Sequence, residues 1–218
     1  MSIATHHDET VNITENVVNS FMDLMLQYIN SLEEVFPECF KISKIKLAYT
    51  IYLNACTTQQ ELFNCGVEGI TKYHASMSPY YARCMDRDET LLSEDIEFIK
   101  EIDLKTKWDA GLHPQTQAAI WSYIIKLNEY SSIYSMYNQV PNRMMSNIES
   151  VATQIATQIS NGTMSLKDIN INELSQSVIN SVSAEDMQSL KNSVCSGNGM
   201  DVGNLYRLLG SVMKTQMQ

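Results

Sequence analysis

Residues 84 to 99, CMDRDETLLSEDIEFI, bring six carboxylates into a short stretch that contains one arginine. Closely spaced carboxylates could bind a divalent cation or act as general acids and bases. Either chemistry needs several oxygens that converge in space, which a sequence run does not establish. The stretch also fits a helix start, with Ser93 as its cap and with Glu94 and Asp95 at the positive end of the helix dipole. We predict this capped helix and keep the carboxylate site as the alternative. The six carboxylates are Asp86, Asp88, Glu89, Glu94, Asp95 and Glu97.

Cysteine and histidine could supply a nucleophile and its base, and the nearest candidates are Cys65 or Cys84 with His74. A buried cysteine that packs as a small apolar residue explains these positions better. The four histidines show no metal-binding pair at helical spacing, and His6 and His7 belong to a predicted disordered end. We therefore predict no metal site.

Composition excludes further classes of chemistry. The eight glycines form no phosphate-binding loop, so we predict no nucleotide cofactor and no cofactor of another kind. Fifteen basic against 25 acidic residues give a net charge of −10, which disfavours naked nucleic acid as a partner. The five cysteines form no CxxC pair, which is typical of reduced thiols in an intracellular protein. The predicted class is a protein without enzymatic activity.

No window approaches the roughly 20 apolar residues of a membrane span, and the first 18 residues lack the pattern of a signal peptide. We therefore expect no membrane span and a location in the cytosol or a comparable reducing compartment.

Helical periodicity covers most of the chain, and strand-like alternation is missing. The predicted fold class is all-α: an irregular helical bundle followed by a tail of short helices. Two tryptophans on apolar helix faces, Trp108 and Trp121, are expected in the core. The predicted helices cover residues 11–36, 42–55, 59–77, a short stretch from Pro79, a stretch near 93–102, and 114–137.

The amino-acid composition of the chain changes near Pro141. Residues 1–140 hold 10 basic and 19 acidic residues, whereas residues 141–218 hold 5 and 6 and few aromatics. We predict a disordered N-terminus at 1–8, a helical bundle domain at 9–140 and a Met/Ser/Asn-rich helical tail at 141–218 that docks on a partner or stays partly mobile. A fragment ending at Val140 should fold by itself.

Five short motifs have a further meaning. They are FPE at Phe36–Glu38, RDE at Arg87–Glu89 before two leucines, IWxYxxxL at Ile120–Leu127, NEL at Asn172–Leu174 and ED at Glu185–Asp186. Together they resemble a helical, largely uncharacterised protein family of nucleocytoplasmic large DNA viruses, in the algal-virus and mimivirus-like groups. Leucines follow the RDE motif where this family would have phenylalanines, which keeps the apolar character. The resemblance transfers no catalytic residue.

The resemblance implies a viral protein that binds other viral or host proteins, in the cytoplasmic viral factory of the host or in the virion. Arg87, Asp88 and Glu89 are its candidate binding residues. Oligomers are compatible with this hypothesis. The alternative function is a metal-binding or hydrolytic protein that uses the carboxylates of residues 86–97.

Overall fold

A computed structural model describes residues 6–139, 146, 150, 153–155 and 157–163. The described residues are 83% helical, and they form seven α-helices and no strand. The predicted all-α class is therefore confirmed. Most of the predicted helical tail, 141–218, lies outside the described residues, and so do residues 1–5.

Three long helices come first. Helix α1 is His6–Val35 and begins inside the stretch 1–8 that the sequence predicts to be disordered. It ends before Pro37, which cannot donate the next hydrogen bond of a helix. Helix α2 is Phe40–Asn54, and helix α3 is Gln59–Met77. The start of α3 is set by a capping box between Thr58 and Glu61.

Four helices follow, and the first three are short. They are α4, Tyr81–Met85; α5, Glu97–Lys100; α6, Leu104–Asp109; and α7, Pro114–Gln139. Two 3-10 turns, Ser78–Tyr80 and Glu89–Ser93, flank α4. Proline opens α7 as predicted, because its fixed φ suits the first turn.

The predicted helix start at Ser93 is wrong. Ser93 is the last residue of a 3-10 turn, Glu94 after it is extended, and α5 begins at Glu97 with Ile96 as its N-cap. The reason is a contact outside the local sequence. Arg83 binds the carboxylate of Glu94 at 2.7 Å, which directs this residue back toward α4 instead of into a helix.

The core lies between α1, α3 and α7. The rings of Phe21 and Tyr73 meet edge to face at 5.4 Å, and the Tyr73 hydroxyl donates to the carbonyl of Ile124 at 3.3 Å. Helices α1 and α3 approach closely because Gly66 has no side chain. A Cβ at this position would overlap Val18 Cγ1 and Met22 Sδ.

The two tryptophans close one end of this core. Trp108 on α6 and Trp121 on α7 are 5% and 4% exposed, and their rings meet edge to face with centroids 6.0 Å apart. Both therefore lie in the core, as the apolar periodicity of the sequence predicts.

Residues Glu15–Ser132 form one compact unit. All contacts described below lie within it. The predicted boundaries at residues 8 and 140 stay predictions.

Candidate functional site

The acidic stretch is organised by an arginine that precedes it. Arg83 Nε donates to Asp88 Oδ2 at 3.0 Å, and Arg83 Nη1 donates to Glu94 Oε1 at 2.7 Å. A third guanidinium nitrogen, Nη2, donates to the hydroxyl of Thr90 at 2.7 Å. Because one guanidinium joins three side chains of the segment, the arrangement closes the loop between α4 and the 3-10 turn Glu89–Ser93.

Asp88 has a second role in the same loop. Its Oδ1 accepts hydrogen bonds from the hydroxyl of Thr90 at 2.6 Å and from the backbone N–H of Thr90 at 2.9 Å, so it caps the 3-10 turn. These bonds from Thr90, together with the bond from Arg83, hold the pKa of Asp88 below its usual value. The carboxylate stays ionised at neutral pH and is engaged with its own chain.

The three predicted binding residues lie in different surroundings. Arg87 and Glu89 are exposed, and Asp88 is half-buried against Arg83. Arg87 sits at a φ of 55°, in the left-handed region, where the chain turns out of α4. The arginine that joins carboxylates of this stretch is Arg83, which precedes the stretch's own Arg87 by four residues. Arg83 lies five positions before Asp88 in the sequence, and this spacing is a signal that sequence reasoning missed.

The carboxylate alternative requires oxygens that converge. Asp88 and Glu94 share Arg83, whereas Asp95 pairs with Lys100 at 2.6 Å on the surface. Within the residues that the structure describes, no group of three or more His, Cys, Asp or Glu side chains could hold a metal ion. The stretch is therefore a loop that the hydrogen bonds of Arg83 stabilise.

The candidate thiol nucleophiles are not joined to the candidate base. Cys84 is fully buried, and burial raises the pKa of its thiol to about 11. Burial also lowers the pKa of His74, whose Nδ1 has no hydrogen-bond partner among the described residues. Among the described hydrogen bonds none joins His74 to a cysteine, and Cys65 instead contacts Cys56.

Helix α2 carries a surface that sequence reasoning did not single out. Its inner side packs through the fully buried Ile42 and through Tyr49, whose hydroxyl donates to the carbonyl of Met22 on α1 at 3.3 Å. Its opposite side exposes Phe40 by 79%, Leu47 by 61% and Ile51 by 59%. Large apolar side chains thus occur on both sides of one short helix.

The exposed residues form a continuous stripe. Residues 40, 44, 47 and 51 follow the spacing that places side chains on one helix face, so the stripe runs roughly 16 Å along α2. Lys44 lies within the stripe and Lys41 beside it, and both are exposed. We call these five residues, Phe40, Lys41, Lys44, Leu47 and Ile51, the outer face of α2.

The charge of α2 is unlike that of the chain as a whole. The helix has three lysines and no acidic residue, in a chain of net charge −10. Lys46 is paired with Glu33 of α1 at 2.6 Å. No ion pair of Lys41 or Lys44 occurs within the described part of the chain. The outer face of α2 is therefore both apolar and basic.

A clear signal for this face exists in the sequence. Apolar residues at 42, 45, 49 and 53 already suffice to bury one side of a helix of 15 residues. Phe40, Leu47 and Ile51 are additional and lie opposite, so an excess of apolar residues on a short helix indicates a second contact surface.

Comparison of the chain with protein-family models, with curated proteins and with solved structures finds no match in any of the three. Within the described ranges, none of the helices combines the length and the apolar character that a bilayer crossing requires.

Proposed function

We propose that this protein is a non-enzymatic protein-binding module, and that the outer face of α2 receives an acidic, amphipathic helix of a partner protein. The observation that carries the proposal is the exposure of Phe40, Leu47 and Ile51 in one stripe. Exposed apolar patches that are rimmed by polar groups are typical of interaction sites.

The size of the face supports a helical partner. A stripe of roughly 16 Å corresponds to about three helical turns. Amphipathic helices bind such surfaces through apolar residues spaced three and four positions apart. Burying three large side chains would remove from water the apolar area that the fold itself leaves exposed.

The charge of the face supports an acidic partner. Lys41 and Lys44 lie beside the apolar residues, where they would meet carboxylates that flank the apolar stripe of the partner. A second copy of this chain that docked its own α2 would bring lysine toward lysine, which costs free energy. An acidic helix pairs both the apolar and the charged groups.

The setting that we propose follows from the resemblance to proteins of large DNA viruses. The partner would be another viral protein or a host protein, and the place would be the cytoplasmic viral factory or the virion. Mass spectrometry of purified virions beside infected-cell lysate distinguishes these two places, because a virion component is enriched with the particle.

The proposal is tested with synthetic peptides. One three-turn peptide carries leucines on one face and glutamates around them, and a second has the same leucines with lysines. Fluorescence anisotropy of each labelled peptide is measured against the full chain. We expect the acidic peptide to bind at least about tenfold more tightly, because like charges oppose the lysine peptide.

Two double variants locate the binding. Leu47→Glu with Ile51→Glu replaces two apolar side chains of the outer face of α2 by carboxylates, and should abolish binding of the acidic peptide. Thr71→Glu with Ala75→Glu places the same charges at the same spacing on exposed positions of α3 and should leave binding unchanged. Circular dichroism confirms that each variant is folded.

Four outcomes would contradict the proposal. In the first, the two peptides bind with equal affinity, and in the second, the double variant in α2 binds the acidic peptide as tightly as the wild type does. In the third, the wild type forms a dimer and this variant is a monomer. In the fourth, the wild type binds phosphatidylserine vesicles and not the acidic peptide, which indicates a membrane surface as the partner.

A further inference from the structure

Two thiols meet where α2 is joined to α3. Cys56 follows the end of α2 by two residues, and Cys65 lies in the second turn of α3. Their Sγ atoms are 3.0 Å apart. Both are free cysteines, and the backbone between them holds them in place.

The backbone on both sides is fixed by hydrogen bonds. The N–H of Cys56 donates to the carbonyl of Leu53 at 3.2 Å, which continues the end of α2. On the other side, the backbone N–H of Glu61 donates to the hydroxyl of Thr58 at 3.1 Å, and Glu61 accepts from the N–H of Thr57 at 2.7 Å. The thiols thus meet because two ordered helix ends place them there.

A small oxidant can reach both sulfurs. Cys56 and Cys65 are partly exposed, in contrast to the fully buried Cys84. Cys65 also lines an apolar cleft between α1, α2 and α3, beside Tyr52 and Gly69. Access and proximity therefore coincide at this pair.

We propose that Cys56 and Cys65 are a modification site, a dithiol that small-molecule disulfides convert reversibly into an intramolecular disulfide. A disulfide bond is about 2.05 Å long, so the sulfurs must approach by about 1 Å from 3.0 Å. Movements of this size need only side-chain rotation and small backbone shifts. The proposal does not depend on the proposed function.

The reaction balances with glutathione disulfide as the oxidant. The Cys65 thiolate attacks one sulfur of glutathione disulfide, which forms a mixed disulfide and releases one glutathione thiolate. The Cys56 thiolate then attacks the Cys65 sulfur, forms the bond between the two cysteines and releases the second glutathione. Two electrons pass from the protein thiols to the oxidant, and the two thiol protons end on the two glutathiones.

The hydrogen bond between the thiols indicates the order of these steps. Either sulfur can be the donor in this contact, which raises the pKa of Cys56 to about 11, and the Cys56 thiol also donates to the carbonyl of Tyr52 at 3.7 Å. Cys56 therefore keeps its proton longer, so Cys65 attacks the oxidant first. Cys56 is the resolving thiol, which acts once the mixed disulfide has formed beside it.

The linked state would join α2 to α3 covalently. At present the end of α2 is held to α3 by the hydrogen bond from the Tyr52 hydroxyl to Glu68, at 3.0 Å. The disulfide would close a short loop around the capping box of α3. Such a link restricts the unfolded chain and adds a constraint between the two helices.

The test uses the full chain and oxidised glutathione. Trypsin releases both cysteines in one peptide, residues 47–72, which has no lysine or arginine before Lys72. After oxidation, we expect this peptide to lose two hydrogen masses. A second protease that cuts after glutamate cleaves at Glu61 and at Glu68, and the two cysteine-containing halves, residues 47–61 and 62–68, should stay linked until a reductant is added.

Controls are present in the same chain. Cys39 is partly exposed and serves as the reference thiol, and oxidant is raised until Cys39 carries glutathione. Cys56→Ser removes the resolving thiol, so it should eliminate the linked halves and leave glutathione on Cys65. Circular dichroism shows whether this variant is folded. If it is not folded, the mass of the tryptic peptide 47–72 from the oxidised wild type decides the test.

The proposal is wrong if Cys56 and Cys65 each end with their own glutathione, or stay unmodified while Cys39 reacts. It is also wrong if either cysteine links to another cysteine of the chain or to a second copy, which electrophoresis without reductant detects.

Discussion

Helices α2 and α3 each carry a stripe of residues at the same spacing, but the stripe of α3 is buried and the stripe of α2 is exposed. Along α3, residues 66, 70, 73 and 77 are all buried, whereas along α2 the equally spaced residues 40, 44, 47 and 51 face solvent. Helix α3 also begins with a capping box, and the N-cap of α2, Cys39, makes no side-chain cap hydrogen bond.

This difference separates two reasons for a helical stripe. The stripe of α3 builds the core, so its residues determine the stability of the fold. The stripe of α2 contributes little to the fold, because α2 is held by its other side and by polar contacts such as Lys46 with Glu33. Residues that the fold does not need are available for a partner.

The largest expected effect compares one isoleucine from each helix. Ile70 is fully buried, and Ile70→Ala should lower the free energy of unfolding by about 2–5 kcal/mol through lost burial and a cavity. Ile51→Ala removes an exposed side chain and should change it by less than about 0.5 kcal/mol. Urea denaturation followed by circular dichroism measures both. Equal losses would mean that the stripe of α2 is part of the core.

The next effect concerns the contact of α3 with α1. Gly66→Ala forces a methyl group against Val18 and Met22, and should lower the free energy of unfolding by about 1–3 kcal/mol. Gly69→Ala, three residues further, has open space around the new methyl and should raise stability by up to about 1 kcal/mol through helix propensity. Thermal melts of the pair should move in opposite directions, and a shift of both to higher temperature would contradict the close approach.

The smallest effect tests the capping box through pH. Hydrogen bonds from the hydroxyl and N–H of Thr57 and from the N–H of Thr58 lower the pKa of Glu61. The folded-state pKa is thus below the unfolded value of about 4.3, so the stabilisation is complete above that value and is lost as the pH falls through the folded pKa. The stability difference between wild type and Glu61→Gln should be present at neutral pH and vanish in acid.

A matched variant sharpens this test. Thr57→Val removes the hydroxyl that binds Glu61 and should weaken the pH dependence without removing the backbone bonds. Urea titrations at several pH values measure both variants. A difference between wild type and Glu61→Gln that grows toward acid pH would reverse the assigned sign.

Local signals predicted the long helices well. The bounds of α3, Gln59–Met77, follow from sequence, and α7 begins at the predicted Pro114. Capping residues and prolines act within a few positions of the helix end, so they are visible in the sequence. The burial of both tryptophans was also accessible, because each lies on an apolar helix face.

Contacts between residues far apart in the sequence could not be predicted in this way. The cap at Ser93 failed because Arg83 binds Glu94 from 11 positions earlier. The meeting of Cys56 with Cys65 depends on how the connection between α2 and α3 turns. Periodicity also does not tell which side of α2 faces the core, since both sides are apolar.

The paired tryptophans have a practical consequence. The chain has two tryptophans, both buried and both between Glu15 and Ser132. Intrinsic tryptophan emission therefore comes from this unit alone, and residues 133–218 contribute none. A red shift of the emission reports exposure of the Trp108 and Trp121 rings when the unit unfolds. A fragment ending at Val140 that is autonomous should keep the emission spectrum of the full chain, so this fluorescence measures the predicted boundary without any label.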